Sequence, residues 1–165
     1  MKMPWTKTRH ILENDFICDS LKGRIRYFAT RYRNAHDSTG RVCILVDRQE
    51  VLSMPFQNEN IVYAEAHKRL DESQKTLFQL SMEITQEFHQ NGKFRPYDFG
   101  NAVDIYLSQT IEISLRSNDL LVRMLAVLDR RVGKRTLQKM KAEIPTSPEW
   151  LQYFYKLRLE SENLL

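Results

Sequence analysis

Hydrophobic and polar positions follow different patterns on the two sides of Pro55. Before it, short runs of β-branched and aromatic residues are bounded by Gly, Asn and Asp, which is typical of strands. We predict strands at about 24–33, 41–47 and 50–54, joined by the loop NAHDSTG and the short polar segment DRQE. The stretch TKTRHILENDFICDSL precedes them and predicts a short amphipathic helix. Connections this short favour an antiparallel meander.

Beyond Pro55, apolar residues recur mostly at three- and four-residue intervals, the spacing of amphipathic helices. The pattern predicts one long helix over about 58–90, or two helices with a break near 71–73. A further helix is predicted over about 101–115. Capping and breaking residues predict the later boundaries: a start at Ser117, an end at Gly133, an end at Pro145 and a start at Ser147.

These patterns predict an α+β fold. An N-terminal helix leads into a three-stranded antiparallel β-meander, and a mostly helical C-terminal two thirds packs on it. Because the 165 residues contain no repeat and no linker-like segment, we expect one domain, 1–165. The meander is expected to occupy about 24–54 and the helical part about 57–163.

Charge is distributed unevenly around a net value of +4. Residues 1–54 carry 10 Lys and Arg against 6 Asp and Glu, residues 55–92 carry 3 against 6, and residues 93–165 carry 12 against 9. Such basic ends permit an anionic partner. We expect a cytoplasmic protein without membrane attachment, because the chain has no span-length apolar run and no signal-peptide pattern. Cys18 and Cys43 lie among apolar neighbours and are expected to be free thiols.

The most basic stretch is LDRRVGKRTLQKMK, residues 128–141, called here the C-terminal basic segment. Arg130 and Arg131 are expected in the last turn of a helix, where cations are favourable. Lys134 and Arg135 are expected to begin the next helix, where cations are unfavourable unless an anion is present. That anion is either external or a carboxylate of the chain itself; the internal candidates are Asp104, Asp129 and Glu149. A helix-turn-helix is a further alternative, although Asp129 stands where that motif has a small residue.

A second basic stretch, KGRIRYFATRYR, covers residues 22–33, contains no acidic residue and is called here the N-terminal basic segment. In a strand, Arg24, Arg26, Phe28, Thr30 and Tyr32 share one face. Aromatic residues among arginines are typical of sheets that stack bases and neutralise phosphates. The alternative is a solvated arginine face above a core-facing one. Across the two segments the candidate anion-binding residues are Lys22, Arg24, Arg26, Arg31, Arg33, Arg130, Arg131, Lys134 and Arg135.

Catalytic chemistry has one candidate, the adjacent pair His36 and Asp37, with Asp47 and Glu50 at the nearby hairpin. A His–Asp pair with carboxylates performs acid–base or metal-assisted hydrolysis in other proteins. Asp37 is equally well explained as the start of the turn to Gly40. The other three histidines are isolated in the sequence and are expected to face solvent: His10, His67 and His89. Neither the spacing of metal ligands nor a cofactor motif is present, so we predict no metal and no cofactor.

Two stretches, CDSLKGRIRYFATRYRNAHDSTGRV and LAVLDRRVGKRTLQKM, resemble a family of small, uncharacterised bacterial cytoplasmic proteins. That family carries a CDSLKGR…YR.AHD..GR block and an LDRR.GKR.L block. The resemblance implies a bacterial cytoplasmic origin and no particular activity. It also suggests that the two blocks meet in space, with Asp129 or Asp37 pairing with arginines of the other block.

The leading functional hypothesis is a non-catalytic binding protein whose basic surface engages an anionic partner, nucleic acid before acidic protein. The first alternative is a protein–protein interaction module, such as an immunity or adaptor protein, that uses the acidic middle. Its carboxylates would be Glu59, Glu65, Asp71, Glu72, Glu83 and Glu87. The second alternative is a hydrolase or nuclease at His36 and Asp37.

Overall fold

A computed structural model describes residues 3–30 and 40–165, and the α+β fold predicted from the sequence is confirmed. An N-terminal helix and a meander precede a mostly helical remainder. The strands are β1 (Ile25–Ala29), β2 (Val42–Val46) and β3 (Gln49–Met54). The helices are α1 (Trp5–His10), α2 (Gln57–Leu70), α3 (Leu77–Gln90), α4 (Pro96–Ser108), α5 (Ile111–Leu115), α6 (Leu120–Val127), α7 (Lys134–Met140) and α8 (Glu149–Ser161). A π-helical turn (Ile11–Asp15) extends α1, and 3-10 turns cover Asp19–Leu21 and Lys141–Thr146.

The sheet has the order β1-β2-β3, with both pairings antiparallel. Asp47 and Arg48 form the turn between β2 and β3, and both have positive φ, 49° and 70°. Two consecutive left-handed residues match the right-handed twist of the strands that they join. β3 therefore begins at Gln49, and the connecting loop is shorter than the segment DRQE.

The main core lies between the inner face of the sheet and the helices of the C-terminal half. Ile25, Tyr27 and Ile44 are buried on that face of the sheet. Nearly every residue of α6 is buried, which places this helix at the centre, against α4, α5 and α8. A short helix that is apolar on all sides is stable only when other elements surround it.

Helices α2 and α3 form a hairpin with a small core of its own, made by Val62, Ala66, Leu80 and Ile84. Of the two alternatives for 58–90, the structure has the two helices with a break near 71–73, because α2 ends at Leu70 and α3 begins at Leu77. Thr76 starts α3 through reciprocal hydrogen bonds with Gln79. Such a capping box stabilises a helix start without any contact from elsewhere in the fold.

The helix predicted over about 101–115 is two helices in the structure. α4 begins earlier, at Pro96, because Asp98 accepts a hydrogen bond from the Arg95 backbone N–H at 2.8 Å and anchors its first turn. It ends at Ser108, after which Gln109 and Thr110 are extended and Thr110 caps α5.

Two further boundaries differ from the capping signals. Asp119 caps α6 in place of Ser117, because its carboxylate accepts from the backbone N–H of Leu121 at 2.9 Å. Ser147 does not cap α8, since its hydroxyl donates to the carbonyl of Glu143 at 2.9 Å. Among the described residues, no helix is both long enough and apolar enough to cross a bilayer.

Candidate functional site

A buried carboxylate holds the turn between α6 and α7. Asp129 is 0% exposed and accepts hydrogen bonds from the Arg131 backbone N–H at 2.8 Å and from the Arg131 guanidinium, with 2.6 Å between Nη2 and Oδ2. The Tyr106 hydroxyl also donates to Asp129. Burial and the adjacent Asp129 charge raise the pKa of Tyr106, so its hydroxyl remains a donor at neutral pH. Hydrogen bonding to Asp129 raises the pKa of Arg131, so its guanidinium carries a positive charge at neutral pH.

Arg131 also makes aromatic contacts. Its guanidinium carbon lies 4.3 Å from the ring centroid of Phe16 and 5.9 Å from that of Tyr106. Stacking of this kind stabilises a cation that is already partly desolvated. Although Arg131 was a candidate for anion binding, its charge is directed at Asp129 in this arrangement.

The prediction that Arg130 and Arg131 lie in the last turn of a helix is wrong. α6 ends at Val127, and both arginines lie in the turn before α7. The helix stops because the Asp129 carboxylate binds the Arg131 backbone N–H, and Ile17 forms an isolated antiparallel bridge with Asp129. By contrast, Lys134 and Arg135 begin α7, as predicted.

The two sequence blocks meet through main-chain hydrogen bonds. The Cys18 N–H donates to the carbonyl of Leu128 at 2.9 Å, and the Arg130 N–H donates to the carbonyl of Phe16 at 2.7 Å. Asp129 therefore lies beside the other block, but among the described residues the arginine that it pairs with is Arg131 of its own block. These bonds fix the position of the α6–α7 turn.

Glu162, at the C-terminal end of α8, connects the same two regions a second time. Its carboxylate accepts from the Ser20 hydroxyl at 3.2 Å and lies 3.8 Å from the Lys134 ammonium. The buried Arg158 also donates to it. Burial alone would raise the pKa of Glu162, but the hydrogen bond and charge of Arg158 outweigh it and lower that pKa. Lys134 is thus brought close to the short turn that leads to Lys22.

Besides the paired Arg131, four candidate cations are exposed around this junction: Lys22, Arg130, Lys134 and Arg135. We refer to these four residues as the basic ridge. Lys134 has the loose contact with Glu162, whereas Arg130 and Arg135 make no ion pair with any residue that the structure describes. Among the described candidate cations, Lys22, Arg130 and Arg135 therefore have no described carboxylate partner, and Lys134 has a weak one.

Arg24, just before β1, and Arg26, within it, are compensated by carboxylates. Arg24 donates two hydrogen bonds to Asp47, at 2.9 Å and 2.7 Å, and Arg26 donates to Glu13 at 2.9 Å. Glu13 is itself buried and also accepts from the Tyr27 backbone N–H at 2.8 Å. The hydrogen bonds between Arg24 and Asp47 lower the pKa of Asp47 and raise the pKa of Arg24.

The predicted alternation along β1 is nevertheless present. Ile25 and Tyr27 are buried, whereas Arg26 and Phe28 face outward and Phe28 is 45% exposed. Arg31, Tyr32 and Arg33 lie outside the described residues.

The two central residues of the catalytic hypothesis, His36 and Asp37, also lie outside the described residues. Asp47 and Glu50 have separate partners: Asp47 pairs with Arg24 and Glu50 with Arg41. Within 3–30 and 40–165, no group of three or more His, Cys, Asp or Glu is placed to hold a metal ion.

A half-buried network of hydrogen bonds and ion pairs around His89 was not predicted from the sequence. The prediction that His89 faces solvent is wrong, because its side chain is 24% exposed and Nε2 lies 3.2 Å from the Asp98 carboxylate. Arg95 binds the same carboxylate through two nitrogens, and both Arg95 and Tyr97 donate to Glu59. Burial opposes ionisation of Asp98, but the hydrogen bonds from His89 and Arg95 outweigh it and lower the pKa of Asp98 to about 2. The sequence signal was the RPYD segment, in which Pro begins a helix and Asp stands at its third position.

The fold and the junction define a small α+β protein whose β-meander and central buried helix support a turn with exposed cations. The chain belongs to the SF0329 protein family, which it matches over residues 4–159. No curated protein and no solved structure shows significant similarity to it.

Proposed function

We propose that this chain is a non-catalytic binding protein of the bacterial cytoplasm whose basic ridge engages an anionic partner, nucleic acid before acidic protein. A single observation carries the proposal: the Glu162 carboxylate contacts both the Ser20 hydroxyl and the Lys134 ammonium. This shared contact brings the start of the N-terminal basic segment close to the C-terminal basic segment. Lys22, Arg130, Lys134 and Arg135 then belong to one region of the surface.

Rigidity of the underlying turn supports the proposal. Asp129 is buried and holds the turn through Arg131 and Tyr106, while main-chain bonds tie it to Phe16 and Cys18. Cations on a fixed backbone lose less conformational entropy on binding than cations on a mobile loop. The 3.8 Å contact between Lys134 and Glu162 is a weak, partly exposed pair that a phosphate group can replace.

The charge of the ridge sets the expected strength of salt dependence. Each neutralised phosphate contributes about −0.9 to the slope of log affinity against log salt for duplex DNA, and about −0.7 for single strands. Four cations therefore predict a slope of about −3 to −4. A partner bound by hydrophobic contacts would give a slope near zero.

The test is binding of labelled duplex DNA and single-stranded RNA to the purified protein across a range of salt concentrations. Arg135→Glu is expected to lower affinity by about tenfold or more and to reduce the magnitude of the slope by about 1 or more. Lys68→Glu on α2 is the matched control, because it changes the net charge equally at an exposed position outside the ridge. Equal effects of the two substitutions, or no binding at low salt, would overturn the proposal.

A second candidate function, the protein–protein module, is favoured by exposed apolar side chains on the α2–α3 hairpin: Ile61, Tyr63, Phe78 and Met82. Four of its acidic residues are paired within the protein; Glu59 pairs with Arg95, Glu65 and Glu87 with Arg69, and Glu83 with Lys75. A partner at this hairpin would thus be recognised mainly through apolar contacts. Binding of a captured protein that is lost in Phe78→Ser/Met82→Ser and retained in Arg135→Glu would favour this function over the first.

A further inference from the structure

A cleft opens between the edge strand β3, the end of α3 and the first turns of α8. Its volume is about 540 Å³, and its lining residues are Val51, Gln90, Asn91, Glu149, Trp150 and Tyr153. Clefts of this size accommodate small ligands. None of these side chains belongs to the basic ridge or to the side-chain network of His89, Arg95 and Asp98.

The indole of Trp150 is fixed in one orientation. Its Nε1 donates to the carbonyl of His89 at 2.9 Å, and the Phe94 ring meets it edge-on with 5.1 Å between ring centroids. Gly92 covers another part of the ring so closely that an added Cβ would lie 3.1 Å from Cγ. A ring held in this way is a preorganised wall of the cleft.

Among the six lining residues, Glu149 is the one charged side chain, and its charge is negative. Glu149 is exposed and forms no ion pair with any described residue. Burial raises the pKa of Tyr153, and the charges of Asp47 and Glu160 add to this effect while Arg24 opposes it. Arg24 is already bound by Asp47 through two hydrogen bonds, so its charge is compensated.

We propose that this cleft binds an organic cation, a guanidinium or ammonium group on a short apolar stem. The cation stacks on Trp150 beside Tyr153 and pairs with Glu149, while the stem lies against Val51. Aromatic faces attract cations through their quadrupole, and a carboxylate at the rim adds a charge-assisted hydrogen bond. The amide oxygens of Gln90 and Asn91 supply further acceptors. This ligand has the opposite charge to the partner proposed for the basic ridge, so each proposal can be tested independently of the other.

The experiment follows the two indole N–H signals of the ¹⁵N-labelled protein by NMR during titration with agmatine, which carries a guanidinium and an ammonium on a butyl stem. Trp5 provides an internal control, because the chain has two tryptophans and Trp5 packs on Phe99 instead. N-butylurea, which has an uncharged urea in place of the guanidinium and no terminal ammonium, serves as the uncharged analogue. We expect a saturable shift of the Trp150 signal below about 10 mM agmatine, an unchanged Trp5 signal and no saturation with the urea.

Variants identify the contacts. Glu149→Gln is expected to weaken agmatine binding by about three- to tenfold, whereas Glu143→Gln, an equal change of charge outside the cleft, leaves it unchanged. A short peptide with one arginine, compared with its citrulline counterpart, distinguishes the source of the cation. Saturation by the peptide alone identifies a partner's side chain, and saturation by agmatine identifies a small amine. Absence of saturation with both, or equal effects of the two variants, overturns the proposal.

Discussion

The guanidinium carbon of Arg131 lies 4.3 Å from the ring centroid of Phe16. A cation of the C-terminal basic segment therefore stacks on an aromatic ring that lies just before the N-terminal basic segment in the sequence. The same guanidinium binds the buried carboxylate of Asp129. Because Arg131 is engaged on both sides, its charge stabilises the junction between the two segments. Its neighbours Arg130 and Arg135 are free to meet a partner.

Replacement of Arg131 by Ala should therefore reduce stability strongly. Loss of the guanidinium leaves the Asp129 carboxylate buried without its cation, which costs about 2–4 kcal/mol. The measurement is the free energy of urea unfolding. Arg130→Ala is the matched control, with an expected change within about 0.5 kcal/mol, because the Arg130 side chain is exposed. Similar losses in both variants would contradict a structural role specific to Arg131.

The Asp98 carboxylate should make stability depend on acidity. Its pKa of about 2 in the folded protein lies below the ordinary value of 3.8, so the folded state holds the proton less tightly than the unfolded chain. The resulting stabilisation is fully present above about pH 4 and is lost as the pH falls through about 2. Asp98→Asn should be less stable than the native protein by about 2 kcal/mol at pH 6, and the difference should shrink toward pH 2.

Urea unfolding of both proteins between pH 6 and pH 2 checks this expectation. Glu72→Gln, in the turn between α2 and α3, is the control, since it should show no comparable pH-dependent difference. A constant gap between Asp98→Asn and the native protein would mean that Asp98 acts through its shape or its neutral hydrogen bonds.

Gly92 should resist substitution. Its φ of 69° is left-handed, and an added Cβ would lie 3.1 Å from the Trp150 ring. Gly92→Ala should therefore destabilise the protein by about 1–2 kcal/mol. At Gly133 an added Cβ meets nothing within 4 Å, and its φ of −76° suits any L residue. Gly133→Ala should stay within about 0.5 kcal/mol of the native protein in the same thermal or urea experiment; comparable losses at both glycines would refute the strain argument.

Removing the same number of positive charges from each basic segment should show which segment contributes to nucleic-acid binding. Arg24→Gln/Arg26→Gln and Arg130→Gln/Arg135→Gln each remove two positive charges. The first pair is bound to Asp47 and Glu13, so its loss should change nucleic-acid affinity by less than about threefold and leave the salt slope nearly unchanged. The second pair should lower affinity by about tenfold or more and reduce the slope by nearly 2. The reverse order would place the binding surface on β1.

Much of the fold followed from local sequence. Alternation in β1 predicted that Arg26 and Tyr27 lie on opposite faces, and they do so, with Tyr27 buried and Arg26 exposed. The interrupted periodicity near 71–73 indicated where a turn would lie if 58–90 formed two helices, and Lys134 and Arg135 were correctly assigned to a helix start. Such features depend on the spacing of residues along one element, which the sequence contains in full.

Only the tertiary structure decided which charges are compensated. Glu13 meets Arg26 and Tyr106 meets Asp129 across separate elements. His89 likewise meets Asp98 because the start of α4 packs beside the end of α3. No periodicity within one element encodes such meetings, since they depend on how helices and strands pack. The sequence by itself therefore determined the secondary-structure elements and the excess of cations. Packing determined which cations form ion pairs and which remain unpaired at the surface, because compensation of a charge requires a partner within a few ångströms.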